Sequence, residues 1–461
     1  MTATPAFAKP ALWRRILARL EVDSHVFATL LFRSWSMIAG GVTVLLIPLC
    51  LSSVQQGYYY TFASILALQV FFELGMGQVI VQVVAHEAAD LRQGADGRYL
   101  GSDERMSRMN GLRRLLGRWY LLATVLFLIC VNVMGWLFFR GHELPWQQWA
   151  VPWFLLVAAT ACNLVLSWRI AIVEGFALVR EVGRLRLFQS MSGFALMWTV
   201  LISGGELWVV AIVPAMAAVC STIWIRRRPA ADVLAPMPVA PDAPASQINW
   251  VTEILPFQWR IAVSWISGFF IFQLFAPMIF KYHGAAEAGR VGLGITIFNS
   301  VVSVGTSWVA AKVPTFGRLI AQGQNVDASA LFKRLTIMTV AFATSTSLAL
   351  LLIDYELGLH QSRIALRLPA VPVLAFLALA AIGNSFVLSA AMYMRAHKEE
   401  PLLASAVAMA IATGLAVTLS APYGAMWVVG SYGILVWLIG VPWTAAILLR
   451  RYYRPPTSVS A

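Results

Sequence analysis

The hydrophobic residues of this chain fall into blocks of about twenty, separated by short polar stretches, and blocks of that length cross the hydrocarbon layer of a bilayer as α-helices. Twelve such spans are predicted, at 29–52, 57–84, 119–139, 149–173, 187–203, 207–225, 259–280, 290–314, 333–353, 370–394, 401–420 and 425–449. The pattern therefore predicts an all-α polytopic membrane protein with about 12 transmembrane helices.

A proline- and alanine-rich stretch at 226–258 interrupts the series after the sixth span. Its composition cannot build a core and is typical of a semi-extended linker. We therefore expect two six-helix lobes, an N-lobe over 29–225 and a C-lobe over 259–449. An amphipathic cytosolic segment at 1–28 precedes them, and a basic tail at 450–461 follows.

The two halves show a faint internal similarity. The segment QGYYYTFASIL, which begins at Gln56, and the segment AGRVGLGITIF, which begins at Ala288, each follow the first span of their half. Both place a glycine just after a short outer turn, at Gly57 and Gly289. An internal repeat of this kind is typical of secondary transporters, whose substrate path runs between the repeats.

The distribution of charged residues predicts how the spans are oriented in the membrane. Only 12% of the residues are charged, too few to cover the surface of a soluble protein of this size. The net charge of +13 does not indicate nucleic-acid binding, because the basic residues are not gathered on a soluble domain. With both termini cytosolic, 29 of the 34 basic residues lie on the cytosolic side. The outer side receives Arg140, Lys281, Arg290, Arg363 and Arg367.

Several kinds of chemistry are missing from the sequence. It contains no phosphate-binding loop of the G-x-x-x-x-G-K-[ST] type and no metal-ligand spacing among its scattered histidines. The predicted outer loops are too short for a glycosyl-transfer site. We therefore expect neither an enzyme nor a bound cofactor or metal. Coupling to H⁺ or Na⁺ is compatible with the sequence, but no coupling site can be identified from it.

Glu73 is the clearest polar residue within a span, about 24 Å from the outer end of the second span at 1.5 Å per residue. It must face a cavity, be protonated or be paired, so it is a candidate coupling or cavity acid, with a structural hydrogen bond as the alternative. Gln69 lies on the same helical face. The sequence Gly75-Met76-Gly77 permits a break in the helix at this point.

Arg33, Arg260 and Lys312 lie near the predicted cytosolic ends of the first, seventh and eighth spans. Two interpretations stay open: they snorkel to the interface, or they form a cationic patch at the cytosolic mouth of a central cavity. Guanidinium groups suit phosphates, since their donors bind two oxygens at once.

Uncharged polar residues occur in four further spans, at Asn163, Gln273, Asn299 and Asn384. Each taken alone is typical of a hydrogen bond between helices. Together they are compatible with a substrate rich in hydroxyl groups, for which Asn299 and Gln273 are the candidate ligands.

Several stretches resemble a known family. They are Arg33 to Pro48, Gln56 to Tyr60, Phe72 to Gly75, Val81 to Glu87, Leu255 to Ile261, Ala288-Gly289, Lys312 to Pro314, Ala321 to Gly323 and Tyr393 to Pro401. The chain resembles the polysaccharide transporters of the multidrug/oligosaccharidyl-lipid/polysaccharide (MOP) exporter superfamily, which include flippases for O-antigen and other lipid-linked oligosaccharides.

The resemblance implies two pseudo-symmetric lobes in a V around a cationic cavity, working by alternating access in the bacterial cytoplasmic membrane. It implies a flippase for polyprenyl-pyrophosphate-linked oligosaccharides in surface polysaccharide biosynthesis. Arg33, Glu73, Arg260 and Lys312 are carried over as candidate cavity residues. The expected partners are this substrate, membrane lipids, and glycosyltransferases or polysaccharide polymerase and export proteins.

Three alternatives remain. A drug or cation antiporter of the same superfamily would need an acidic cavity, whereas this chain has one mid-membrane glutamate against several inner basic residues. A membrane glycan polymerase or ligase is disfavoured by the short outer loops. A subunit of a polysaccharide synthase complex is compatible with the basic cytosolic loops.

Overall fold

A computed structural model of the chain describes residues 24–94, 99–239, 249–362, 364–397 and 401–452. Most of the predicted amphipathic segment at 1–28 and of the tail at 450–461 lies outside the described residues, as does part of the predicted linker.

The first half is built from helices in sequence order. They are α1 (Ser24–Cys50), α2 (Ser53–Leu66), α3 (Val70–Glu73), α4 (Met76–Ala88), α5 (Asp103–Phe139), α6 (Trp146–Gly175), α7 (Val179–Ile202), α8 (Val209–Trp224) and α9 (Ala230–Leu234). A short antiparallel pair of strands, β1 (Arg92–Gln93) and β2 (Tyr99–Leu100), connects α4 to α5.

The second half continues in the same way after a π-helical turn at Trp250–Ile254. Its helices are α10 (Leu255–Phe272), α11 (Phe275–Ala311), α12 (Val313–Ala321), α13 (Asn325–Leu359), α14 (Val371–Ala396), α15 (Leu403–Ser420), α16 (Ala425–Leu435) and α17 (Val441–Arg451).

These helices account for the predicted spans. Among the described residues, ten helical segments are long and apolar enough to cross a membrane, and Trp35–Cys50 is a shorter apolar helix. The longest segment, Gln258–Ala321, contains two predicted spans, because non-helical backbone at Gly284 (φ 84°, ψ 173°) divides it. Large apolar side chains such as Leu45 and Leu352 are exposed, as expected of helix surfaces that face lipid. The predicted all-α polytopic architecture is confirmed.

Capping residues, rather than hydropathy, decide where two of the helices begin. Ser52 and Gln55 form a capping box at the start of α2: Ser52 Oγ accepts a hydrogen bond from the Gln55 N–H at 3.1 Å, and Gln55 Oε1 accepts one from the Ser52 N–H at 3.0 Å. Ser102 caps α5, which therefore begins at Asp103, well before the apolar block predicted at 119–139.

The two halves repeat a structural detail. In the first half, Asn163 of the fourth span donates from Nδ2 to the Pro214 carbonyl of the sixth span at 2.7 Å. In the second half, Asn384 of the fourth span donates to the Tyr432 hydroxyl of the sixth span at 2.9 Å. The prediction that these asparagines hold helices together is confirmed, and their matching positions are what an internal repeat produces.

Backbones of the two halves touch at the predicted outer end. A Cβ atom on Gly57 of α2 would lie 1.9 Å from the carbonyl oxygen of Ala285 of α11, and a Cβ atom on Gly289 would lie 2.7 Å from the nitrogen of Gly57. Gln56 Nε2 donates to the carbonyl of Gly289 at 2.9 Å. We call this contact the outer junction. It brings together the two glycines that the internal similarity aligns.

Aromatic side chains extend the outer junction. Phe280 of the second half lies against four rings of the first half, with centroids 5.0 Å from Tyr58, 5.5 Å from Phe138, 5.5 Å from Phe139 and 5.0 Å from His142. Glu143 accepts a hydrogen bond from the backbone N–H of Ala285 at 3.1 Å. The halves are therefore closed against each other at this end.

An ion pair joins the first half to the turn before α10 at the opposite, basic end. Arg108 of α5 contacts Glu87 of α4 at 3.0 Å and Glu253 of that turn at 2.6 Å. The pKa of Glu253 lies below its ordinary value, because it accepts hydrogen bonds from the Asn249 backbone and from Arg108. The turn that leads into α10 is thus attached to the first half.

Part of the predicted linker is folded rather than semi-extended. Residues 230–234 form α9, with Ala230 and Val233 fully buried. Asn110 of α5 exchanges two hydrogen bonds with the Met237 backbone, at 2.9 and 3.1 Å. Arg113 donates to the Ala235 carbonyl at 2.6 Å. Composition alone missed this docking, because polar side chains of α5 satisfy the backbone of the segment.

Candidate functional site

A cavity of about 510 Å³ lies between α1 and the part of α11 that follows Gly284. It is lined by Ser36, Met37, Gly40, Thr296, Asn299, Ser300, Ser303, Val304, Thr306, Ser307, Ala310 and Met392. We call it the hydroxyl cavity, because half of these residues are serine or threonine.

The hydroxyl cavity runs along α11 towards the predicted cytosolic side. Its lining extends from Thr296 to Ala310, about 21 Å along the helix axis at 1.5 Å per residue. It begins beyond the outer junction and ends two residues before Lys312. The cavity is therefore shut off from the predicted outer side and reaches the predicted cytosolic end.

The hydroxyl groups of this wall present acceptor oxygens to the cavity. Thr296 donates to the Gly292 carbonyl, Ser300 to the Thr296 carbonyl and Ser307 to the Val304 carbonyl, all within α11. Each donor proton is thus used, while lone pairs on the hydroxyl oxygen remain.

Asn299 differs from its neighbours in this wall. Its side chain is exposed to the cavity and has no hydrogen-bond partner among the described residues. Asn299 therefore offers both a free donor and a free acceptor, the combination that a sugar hydroxyl requires.

Sequence reasoning found Asn299 but missed the rest of this wall. Thr296, Ser300, Ser303 and Ser307 recur at intervals of three or four residues, which places them on one face of a helix. A search for polar periodicity inside an apolar span would have found them. Ser36 carries no comparable signal, since its role depends on how α1 packs against α11.

A second cavity, of about 300 Å³, lies between the second span and α10. It is lined by Ala67, Gln69, Val70, Glu73, Trp265, Gly268, Phe269, Phe272 and Gln273. We call it the Glu73 cavity. It brings Gln273 of the second half to the same space as Glu73 and Gln69 of the first half.

The second span is broken beside Glu73. Leu74 (φ 50°) and Gly75 (φ 67°) both adopt left-handed backbone, and the chain resumes as α4 at Met76. The break that the sequence permits is confirmed. The site is crowded: a Cβ atom on Gly75 would lie 2.4 Å from Ile261 Cγ2 of α10. Glycine is required here for both reasons.

Glu73 has one hydrogen-bond contact in the described residues, from Gln69 Nε2 at 3.4 Å. Glu73 forms no ion pair with any of the described residues. A half-buried carboxyl with so few partners is a group that can bind and release a cation or proton.

Of the predicted cationic residues, the two whose side chains the structure describes, Arg260 and Lys312, do not meet in one cavity. Lys312 is exposed at the end of α11, near the cytosolic end of the hydroxyl cavity. Arg260 is exposed on α10, with its guanidinium 5.6 Å from the ring centroid of Trp259, and it lines neither cavity as the structure describes them. Arg33 falls within α1, and its side chain lies outside the described residues.

No group of three or more His, Cys, Asp or Glu side chains within the described ranges is arranged to hold a metal ion.

Solved structures with the same fold were found across nearly the whole chain. The lipid II flippase MurJ, in an inward closed conformation, matches with a TM-score of 0.62 and 11% identity over 92% of this chain and 87% of that one. A multidrug resistance MATE transporter of the MOP superfamily, in an inward-facing conformation, matches with a TM-score of 0.54 and 12% identity over 90% and 94%. The chain has the MOP transporter fold.

An outward-facing structure of a MATE transporter of the MOP superfamily gives a TM-score of 0.50, with 12% identity over 94% of this chain and 98% of that one. No protein-family profile and no curated protein matches the sequence. The similarity is therefore one of MOP fold, with the hydroxyl cavity lying between its two halves.

Proposed function

We propose that this chain is a membrane transporter that moves a polyprenyl-pyrophosphate-linked oligosaccharide from the cytosolic to the outer leaflet of the bacterial cytoplasmic membrane. The two halves alternate in access around the hydroxyl cavity. The glycan crosses through this cavity, while the lipid chain stays in the bilayer.

The observation that carries the proposal is the chemistry of the hydroxyl cavity. Its lining contains serine, threonine and asparagine and no carboxylate among the described residues. Neutral donors and acceptors suit a glycan, whereas a cationic drug is favoured by acidic groups. The orientation of the cavity towards the basic end supports loading from the cytosolic side.

The pyrophosphate is expected at the cytosolic mouth. Lys312 lies there, and Arg33 lies one helical turn before Ser36 of the cavity wall. Arg260 is the third candidate, although its position against Trp259 is equally that of an interfacial arginine. The termini are proposed to be cytosolic on the same charge distribution.

The test is lipid flipping in proteoliposomes with a fluorophore-labelled polyprenyl-pyrophosphate oligosaccharide. Asn299→Leu is expected to lower the flipping rate about tenfold, because a buried polar contact to the glycan is lost. Asn132→Leu is the matched control, since Asn132 donates to the Leu128 carbonyl of its own helix and lines neither cavity. Flipping that is absent for the wild-type chain, or equal in both variants, would contradict the proposal.

A second candidate function rests on the Glu73 cavity. A carboxyl group beside Trp265, Phe269 and Phe272 is a suitable environment for an organic cation. A drug or cation antiporter would take up a fluorescent cation against a proton or sodium gradient, and Glu73→Gln would abolish that uptake. Cation uptake without any flipping of the lipid-linked oligosaccharide would favour this function over the first.

A further inference from the structure

Two of the arginines predicted on the outer side lie together beside the outer junction. Arg290 follows Gly289 in α11, and Arg367 ends the 3-10 turn at Ala365–Arg367 that precedes α14. Gln56 Nε2 donates to the Gly289 carbonyl at 2.9 Å and to the Arg367 carbonyl at 3.4 Å. One amide group of the first half therefore bridges the backbones that carry both arginines.

The two guanidinium groups carry more positive charge than their surroundings neutralise. Arg290 pairs with Glu287 at 3.1 Å. No carboxylate within the described ranges lies within 4 Å of Arg367. Burial, together with the nearby charge of Arg290, lowers the pKa of Arg367 from its ordinary value. Two like charges are thus near each other, and the only ion pair either one forms within the described ranges is that of Arg290 with Glu287.

Hydrogen-bond donors at this position are also unused. Arg367 Nη1 and Arg290 Nε are buried and have no hydrogen-bond partner in the part of the chain that the structure describes, and the same is true of the Gln56 Oε1 acceptor. Buried donors without a partner cost free energy, and the cost is larger for charged groups. An anion with several oxygens would relieve both the charge repulsion and the unpaired donors, and phosphate matches the geometry of guanidinium groups.

We propose that Arg290 and Arg367 form a phosphate-binding site on the outer face of the second half, which Gln56 covers in this conformation. Both arginines belong to the second half, whereas Gln56 belongs to the first. Separation of the halves at the outer junction withdraws Gln56 and uncovers the site. A bound phosphate group therefore favours the conformation that is open to the outer side.

The ligand is the phosphate group of a lipid in the outer leaflet or a free phosphate anion. If the ligand is the pyrophosphate of a lipid-linked substrate, the site receives it after translocation. That assignment rests on the proposed function, whereas binding of phosphate by this arginine pair does not.

The test is direct binding to the purified full-length chain in detergent. Inorganic pyrophosphate and dioctanoyl phosphatidic acid are the two probes, and affinity is measured by isothermal titration calorimetry. The double variant Arg290→Gln, Arg367→Gln is expected to bind each probe that the wild type binds, but about tenfold more weakly. The variant Arg140→Gln with Lys281→Gln removes the same charge from the same predicted face and is expected to bind as the wild type does.

A second variant tests whether Gln56 covers the phosphate-binding site. Gln56→Ala removes the bridge to Gly289 and Arg367 while sparing both arginines, and it is expected to bind the probe severalfold more tightly than the wild type. Binding of both probes indicates a lipid phosphate, and binding of pyrophosphate alone indicates a free anion. Absence of saturable binding of either probe, or equal loss in the control variant, would overturn the proposal. Because no transport is measured, failure here is distinct from failure of the flipping assay.

Discussion

At the residue scale, polar groups inside the spans divide into those with partners and those without. All three of these asparagines line cavities, but Asn163 and Asn384 donate to a neighbouring helix, whereas the amide of Asn299 has no partner among the described residues. The sequence shows all three alike, as single asparagines in apolar surroundings. Only the hydrogen bonds that the packed helices allow separate a structural residue from a candidate ligand.

Lys312 and Arg169 allow the same distinction to be tested for basic residues. Arg169 donates to the Val165 carbonyl at 3.0 Å and lies 4.5 Å from the ring centroid of Trp168, as an interfacial residue does. We expect Lys312→Gln to raise the substrate concentration needed for half-maximal flipping about tenfold, because a charge contact to pyrophosphate is lost.

Arg169→Gln is the control, expected to leave the flipping kinetics unchanged at equal protein abundance. An unchanged concentration dependence in Lys312→Gln would assign that lysine to the interface instead.

At the scale of the element, the second span shows why a helix cannot be described by its hydropathy alone. The apolar block at 57–84 is continuous in sequence, yet the helix stops at Glu73 and restarts at Met76. The glycines permit the break, but α10 decides its position by occupying the space beside Gly75. The break in turn places Glu73 and Gln69 at the wall of a cavity.

The helix break predicts that alanine substitution lowers stability much more at Gly75 than at Gly77. Gly75→Ala should lower the free energy of unfolding by about 1–3 kcal/mol, because alanine would have to adopt positive φ. It would also contact Ile261. Gly77→Ala should have little effect, since its Cβ atom would make an ordinary 3.5 Å contact with Glu73 Oε1.

Thermal unfolding of the purified protein in detergent measures both changes. Adding Ile261→Ala to Gly75→Ala should recover only the part of the lost free energy of unfolding that is due to the contact with Ile261. Equal stability of the two single glycine variants would contradict the role of the break.

At the scale of the whole molecule, closure of the outer junction depends on glycine. The spacing of Gly57 and Gly289 in the two similar segments is visible in the sequence, but their contact is not. We expect Gly57→Ala to shift the chain towards an outer-open conformation, because a Cβ atom cannot fit 1.9 Å from the Ala285 oxygen.

Distances between spin labels on the outer loops of the two halves measure this shift. Gly358→Ala is the control, since no atom lies within 4 Å of the Cβ it would add. A label distance that is the same in wild type, Gly57→Ala and Gly358→Ala would show that the junction is not a gate.

The orientation in the membrane gives a further prediction for the whole chain. In a background without the native cysteines, Arg227→Cys should react with an impermeant maleimide only after the membrane is permeabilised. Gly141→Cys should react in intact cells, because it lies in a predicted outer loop. The opposite pattern would invert the topology and place the arginine pair on the cytosolic side.

The sequence by itself determined the all-α polytopic class, the approximate position of the spans and the permitted helix break. These are local properties, set by the length of an apolar block against the bilayer and by the backbone freedom of glycine. The tertiary structure alone decided that Glu73 and Gln273 line one cavity, that Ser36 and Asn299 line another, and that Arg290 lies near Arg367. In a membrane both lipid and protein interior are apolar, so hydrophobicity does not tell which helix face is buried. Which face of a helix is buried depends on how the helices rotate and pack, through contacts between residues far apart in the chain.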